Sequence, residues 1–172
     1  MLEGWDSLAV VADVVAGWCF WSLAHNLGHR WWHQDMAKGK QTFYAHGERE
    51  HHRVYDGPGN IQSRHKEDPK ELFISFPLPV VAPFGLLFVA VYGLLRGGTH
   101  WLPFAISMYA FMLMDQQVHI LFHKHEQLLG ILGRLQRLHM VHHRTHRHNF
   151  FFVSGIVWDL VFRTARAPSE VN

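Results

Sequence analysis

The sequence predicts an all-α, integral-membrane helical bundle, with about three to four apolar helices and a cytoplasmic cap that carries clustered histidines. Three observations lead there. Apolar residues gather in three long segments, Ser7 to Leu27, Leu72 to Leu95 and Trp101 to Phe122. Every Lys and Arg except Arg96 lies between Arg30 and Lys70 or after Phe122. Every histidine except His100 lies in those same two regions or at the segment ends that open into them.

Each apolar segment meets the length of about 20 residues that a helix needs to cross a hydrocarbon core of roughly 30 Å. Three of them in a chain of 172 residues leave too little polar sequence to cover them with a water-facing surface. That length is room for one domain, spanning residues 1–172. The first segment does not read as a signal peptide. No basic residue precedes it, and Glu3, Asp6 and Asp13 surround its start. In the second, Pro77, Pro79 and Pro83 predict a kink or a late start. Arg96-Gly97-Gly98-Thr99 makes a short turn into the third. By the positive-inside rule that turn faces away from the cytoplasm, so three crossings put the N-terminus outside and the C-terminus inside. A fourth apolar stretch, Phe150 to Phe162, is too short to span and reads as buried against the cytoplasmic face or lying in the interface.

The charge balance, 16 Lys plus Arg against 14 Asp plus Glu, gives no electrostatic footprint for nucleic acid. The arginines are not interleaved with a stacking platform for single strands either. One cysteine, Cys19, excludes a disulfide framework and a Cys-based zinc or iron–sulfur site; inside an apolar run it reads as a buried, inert thiol. Seven Trp and 13 Phe suit a membrane interface.

Histidines number sixteen, several times the roughly 2% expected of a globular chain, and eleven of them form four clusters. His25, His29 and His33 repeat every four residues, so they share one helix face. His46, His51 and His52 surround Glu48; His119 and His123 are spaced by four; His139, His142 and His143 form a one-face trio. A lone pair of this kind is weak evidence, and His65 and His100 read as bland solvent-facing residues. His146 and His148, amid Arg144 and Arg147, read as a solvated basic patch or headgroup contact. Four clusters at one membrane face are different. Packed neutral imidazoles leave donors and acceptors unpaired at about 1–3 kcal/mol each, and protonated ones repel. Metal removes both problems. A tetrahedral zinc needs three or four ligands, so a supply of eight to ten fits two metals. Imidazole suits iron, copper, nickel and zinc alike. No cysteine or methionine cluster points to copper transport, which favours iron with O2.

The spacing resembles a known family. His29-Arg30-Trp31-Trp32-His33, His119-Ile120-Leu121-Phe122-His123 and His139-Met140-Val141-His142-His143 resemble the HxxxH, HxxxH and HxxHH boxes of the fatty acid hydroxylase / sterol desaturase superfamily. Asn149-Phe150, then Trp158-Asp159-Leu160-Val161-Phe162-Arg163-Thr164, are similar to that family's closing signature. The likeness runs from about His25 to Thr164. The boxes together with the tail are specific, although no single box is. Two departures stand out. The second box, usually HxxHH, has Glu48 first, and Phe151 stands where the family commonly has Gly.

The resemblance implies a single membrane-bound domain with two iron ions, for which zinc can substitute, and O2 as co-substrate. It implies hydroxylation or desaturation of a lipid, sterol, carotenoid or other hydrophobic substrate. Electrons would come from a separate donor protein, since the chain has no dinucleotide-binding motif, Cys motif or haem-binding extension. The candidate ligands are His29, His33, His46, His51, His52, His119, His123, His139, His142 and His143, with Asp115, Asn149 and Asp159 as candidates to orient them. Whether His46, Glu48 or His25 completes the set stays open: His46 is five residues from His51, off the face that Glu48 shares with His51 and His52. The alternative is a His-rich membrane metal-binding or transport protein without catalysis. Asp13 and Asp115 are the only charged residues within the spans, which is thin support for a path across the bilayer.

Overall fold

The structure is a computed structural model that describes residues 6–40, 42, 49, 51–52, 78–97, 99–150, 154–167 and 169, with backbone alone at 78–82 and 84. Most of the described residues are helical, with no strand among them. The elements are α1 (Ser7–Ala37), α2 (Leu78–Arg96), α3 (Trp101–Lys124), α4 (Gly130–Thr145) and α5 (Ile156–Val161).

α1 begins where Asp6 accepts the backbone N–H of Leu8 at 3.0 Å, serving one of the orphan donors of the first turn. It ends at Gly39, whose φ of 70° is open to glycine without strain, with Gly39 N–H on Met36 O and Lys38 N–H on Gln34 O. Its 31 residues make a rod of about 46 Å at roughly 1.5 Å per residue. The apolar part ends at Leu27, so the last third lifts His29 and His33 clear of it. Among the described residues α1 alone is long and apolar enough to cross a membrane; Gly85–Arg96 is a shorter apolar run. α3 has 24 residues, but Asp115, Gln116, His119, His123 and Lys124 make its second half polar.

Contacts along the helices fix their directions. Asp13 meets His100, a Cβ on Gly17 would stand 2.3 Å from the Phe104 carbonyl oxygen, and Trp21 reaches Asp115. Later residues of α1 therefore meet later residues of α3, and the two run parallel. Only glycine permits that approach at position 17, so Gly17→Ala must push the helices apart. α2 runs the other way: Phe88 packs on Phe20 at 4.4 Å and Tyr92 bonds Asp13. The core between the three is Trp21, Val89, Phe104, Ala105, Met108 and Met112. Outside it, Leu8, Val11, Val15, Leu86, Leu94, Leu95 and Ile106 are exposed. Cys19, expected to be buried, is half-buried.

At the end away from the histidine clusters the three helices share one carboxylate. Asp13, with no exposed surface, accepts from the Tyr92 hydroxyl at 2.5 Å, from Arg96 at 3.3 Å and from His100 Nδ1 at 2.7 Å. His100 is thus not the bland solvent-facing residue its isolation in the sequence suggested; its partner lies 87 positions away. The Arg96 head is partly exposed and can return to water, whereas the carboxylate cannot. Asp13→Ala is expected to lower the thermal midpoint in detergent by on the order of 5 °C. Replacing Arg96 and His100 together should cost more, because it strands the buried charge. A melting series on the three variants tests that ranking.

Candidate metal centre

Three helices and one helical turn bring the clusters together. α1 supplies His29 and His33, α3 His119 and His123, and α4 His139, His142 and His143, while His51 and His52 lie in helical backbone between α1 and α2. They sort into two groups. His51, His119, His123, His139 and His143 form one; His29, His33, His52 and His142 form the other; within each, ligand atoms lie within 4.8 Å of one another. The two His-His pairs are what divide them. Neighbours on a helix point about 100° apart, so His51 and His143 turn into the group of five while His52 and His142 turn into the group of four. The groups are therefore adjacent, sharing two pieces of backbone.

All nine rings are buried, the most exposed being His51 at 8%. Burial first, and neighbouring imidazoles second, hold His52, His142 and His143 well below the ordinary imidazole range. That environment favours the neutral ring, the form that offers a lone pair to a metal. His123 Nε2 lies 2.8 Å from His119 Nε2 and 3.0 Å from His139 Nε2, which is itself 3.0 Å from His143 Nε2. A neutral Nε2 carries a hydrogen or a lone pair, never both. Whichever state His139 takes, its one site must serve two neighbours. A cation accepts every lone pair at once. Nitrogens held at about 2.1 Å from one ion stand roughly 3.0–3.4 Å apart, close to the 2.8–3.0 Å separations here and the 3.2 Å between His33 and His52 Nε2. The donor set therefore fits a metal ion in each group.

Backbone carbonyls set two of the rings. His29 Nδ1 faces Phe150 O at 3.2 Å and His142 Nδ1 faces His148 O at 2.9 Å. Each bond places the ring hydrogen on Nδ1 and leaves Nε2 to the group. The three residues expected to orient ligands make the following bonds among the described residues. Asp115, fully buried, accepts from Trp21 Nε1 at 2.8 Å and from Ser154 N–H at 3.0 Å. Asn149, in the left-handed region at φ 51°, donates to Leu138 O and Arg166 O and accepts from Arg166 N–H. Asp159 Oδ1 accepts from Phe150 N–H at 3.1 Å and from the Thr164 hydroxyl. Asn149 and Asp159 thus hold the tail that presents Phe150 O, so their bonds reach His29 through the backbone.

His46 and Glu48, like His65 and Phe151, lie outside the described residues. His25 belongs to neither group; it stacks on Trp21 at 5.3 Å and 7° and packs beside His29. Two contributors were missed in the sequence. Gln136 accepts from Leu128 N–H and donates to Phe122 O and His125 O, fastening α4 to the end of α3. Its one-turn spacing from His139 was the available signal. His146 was read as solvated, yet its ring lies 4.4 Å from that of His52. Its left-handed backbone, φ 55°, turns it back over the end of α4.

No family model matches the chain, and no curated protein or solved structure matches it.

Proposed function

We propose that this chain is a membrane non-haem di-iron oxygenase that hydroxylates or desaturates an unactivated C–H of a lipid-like substrate. The observation that carries the reading is the pair of adjacent, buried, all-histidine groups. Two ions sharing a wall suit redox chemistry on O2 better than a structural role, which one closed tetrahedral site would fill. Iron bound there would supply that chemistry, using O2 and electrons from a separate donor protein. The protein's part is to hold the rings neutral and aimed, exclude water and present the substrate chain. The long apolar α1 and the exposed apolar residues of α1, α2 and α3 support a bundle set in lipid. The distribution of Lys and Arg supports a cytoplasmic position for the histidine end. A lipid, sterol or carotenoid is the substrate class such a placement favours.

The metal-carrier reading needs polar groups free to pass an ion across the bundle. Asp13 and Asp115, the charged residues of the apolar segments, are both engaged by protein donors. We expect about two iron atoms per chain after anaerobic purification. We also expect a product heavier by one oxygen or lighter by two hydrogens in lipid extracts of expressing cells. One tightly held zinc with no iron uptake on reconstitution would overturn the di-iron reading. Two metals with no change in any lipid would leave the carrier as the better account.

A further inference from the structure

The two groups are unequal, five imidazoles against four, and a tenth ring lies beside the smaller one. His146 caps α4, its N–H bonded to His142 O at 2.8 Å. Its φ of 55° and ψ of 7° place it in the left-handed region, which costs most residues with a Cβ and which Asn, Asp and His adopt more readily than others. That conformation keeps the ring from running on past the helix end. Its centroid lies 4.4 Å from His52 and 5.9 Å from His33. Within the group of four, His33 and His52 are 4.7 Å apart and His29 and His142 4.7 Å apart. His146 is thus as close to His52 as the group's members are to one another, yet a step further from His33. It sits on the rim. It also differs from the nine in exposure: they are buried, and it is half-buried, facing both the group and solvent.

We propose that His146 is a fifth, exchangeable imidazole for a divalent first-row metal in the four-histidine group, reached by rotation of its side chain. The inference rests on the metal-centre reading and adds an asymmetry to it. The group of five is closed by buried rings alone, whereas the group of four completes its set with a ring that can leave. A ring serving only as a helix cap would need neither the contact with His52 nor a metal.

The test is metal release to a chelator from purified protein loaded with two Co(II) per chain, followed by visible absorption. His146→Asn is the variant of choice, because Asn tolerates the left-handed backbone and preserves the cap. Exposed His125, substituted by Asn, is the control. The parent should release its ions in two phases. His146→Asn should speed one phase about tenfold or more and leave the other unchanged, with a change in the absorption of the affected ion. Two phases unchanged from the parent, or both quickened alike, would overturn the proposal and leave the metal centre standing. A parent that takes up no metal would overturn the centre itself, and this inference with it.

Discussion

His142→Ala and His143→Ala, changes at neighbouring positions, are each expected to remove one metal, and not the same one. His142 points into the group of four with His29, His33 and His52; His143 points into the group of five with His51, His119, His123 and His139. Each is almost completely buried, so alanine opens a pocket where a ligand stood. Loss of a metal-binding ring removes affinity and leaves the remaining imidazoles crowded at about 3 Å, His33 on His52 in one group and His123 on His119 and His139 in the other. Metal content should fall from about two to about one per chain in each single variant and to nearly none in the double. Product formation should fall at least a hundredfold in all three, since one ion lacks its partner. Elemental analysis with product quantification checks this. His100→Ala should keep both ions, because its ring serves Asp13 at the opposite end of the bundle. Loss of both ions from either single variant would mean that the groups do not fill independently.

Periodicity made part of this centre legible. A spacing of four in His25, His29 and His33, and again in His119 and His123, places those rings on single helix faces, and the helices form as that spacing requires. The end of α2 at Gly97, with its φ of 73°, and the helix through Pro83 also follow from local chemistry. Pairing across the chain was not legible. The partition of His142 from His143 depends on how α4 is rotated against α1 and α3, and that rotation is fixed by Gln136, whose partners are carbonyls of another helix end. The bond from Trp21 to Asp115 spans 94 positions, so nothing local to Asp115 announces it. The fourth apolar stretch was legible only as too short to span. Within it α5 is six residues long, and polar bonds from Asn149 and Asp159 define its surroundings more than its apolar side chains do.

Those polar bonds underlie the second large effect, expected for Asp159→Ala. The carboxylate has no exposed surface and accepts from Phe150 N–H at 3.1 Å and from the Thr164 hydroxyl, while its own backbone carbonyl takes Thr164 and Ala165 N–H at 2.8 and 3.1 Å. Alanine keeps the last two bonds and strands the first two donors. A hydrogen bond to a charged group contributes about 1.5–3 kcal/mol, and stranding a buried donor adds desolvation, so the loss should be about 3 kcal/mol. The consequence for the metal centre follows from where Phe150 leads. Its N–H is held by Asp159 and its carbonyl faces His29 Nδ1, so releasing one end of that residue loosens the bond that aims His29 Nε2. Metal in the group of four, to which His29 belongs, should then be held about tenfold more weakly, with the group of five little changed. Asp159→Asn keeps an acceptor oxygen of the same reach and should recover much of both losses. Thermal melting and two-phase metal release, measured on the two variants together, separate the outcomes. A destabilised Asp159→Ala that holds both ions as tightly as the parent would show that the tail closes the fold without positioning His29.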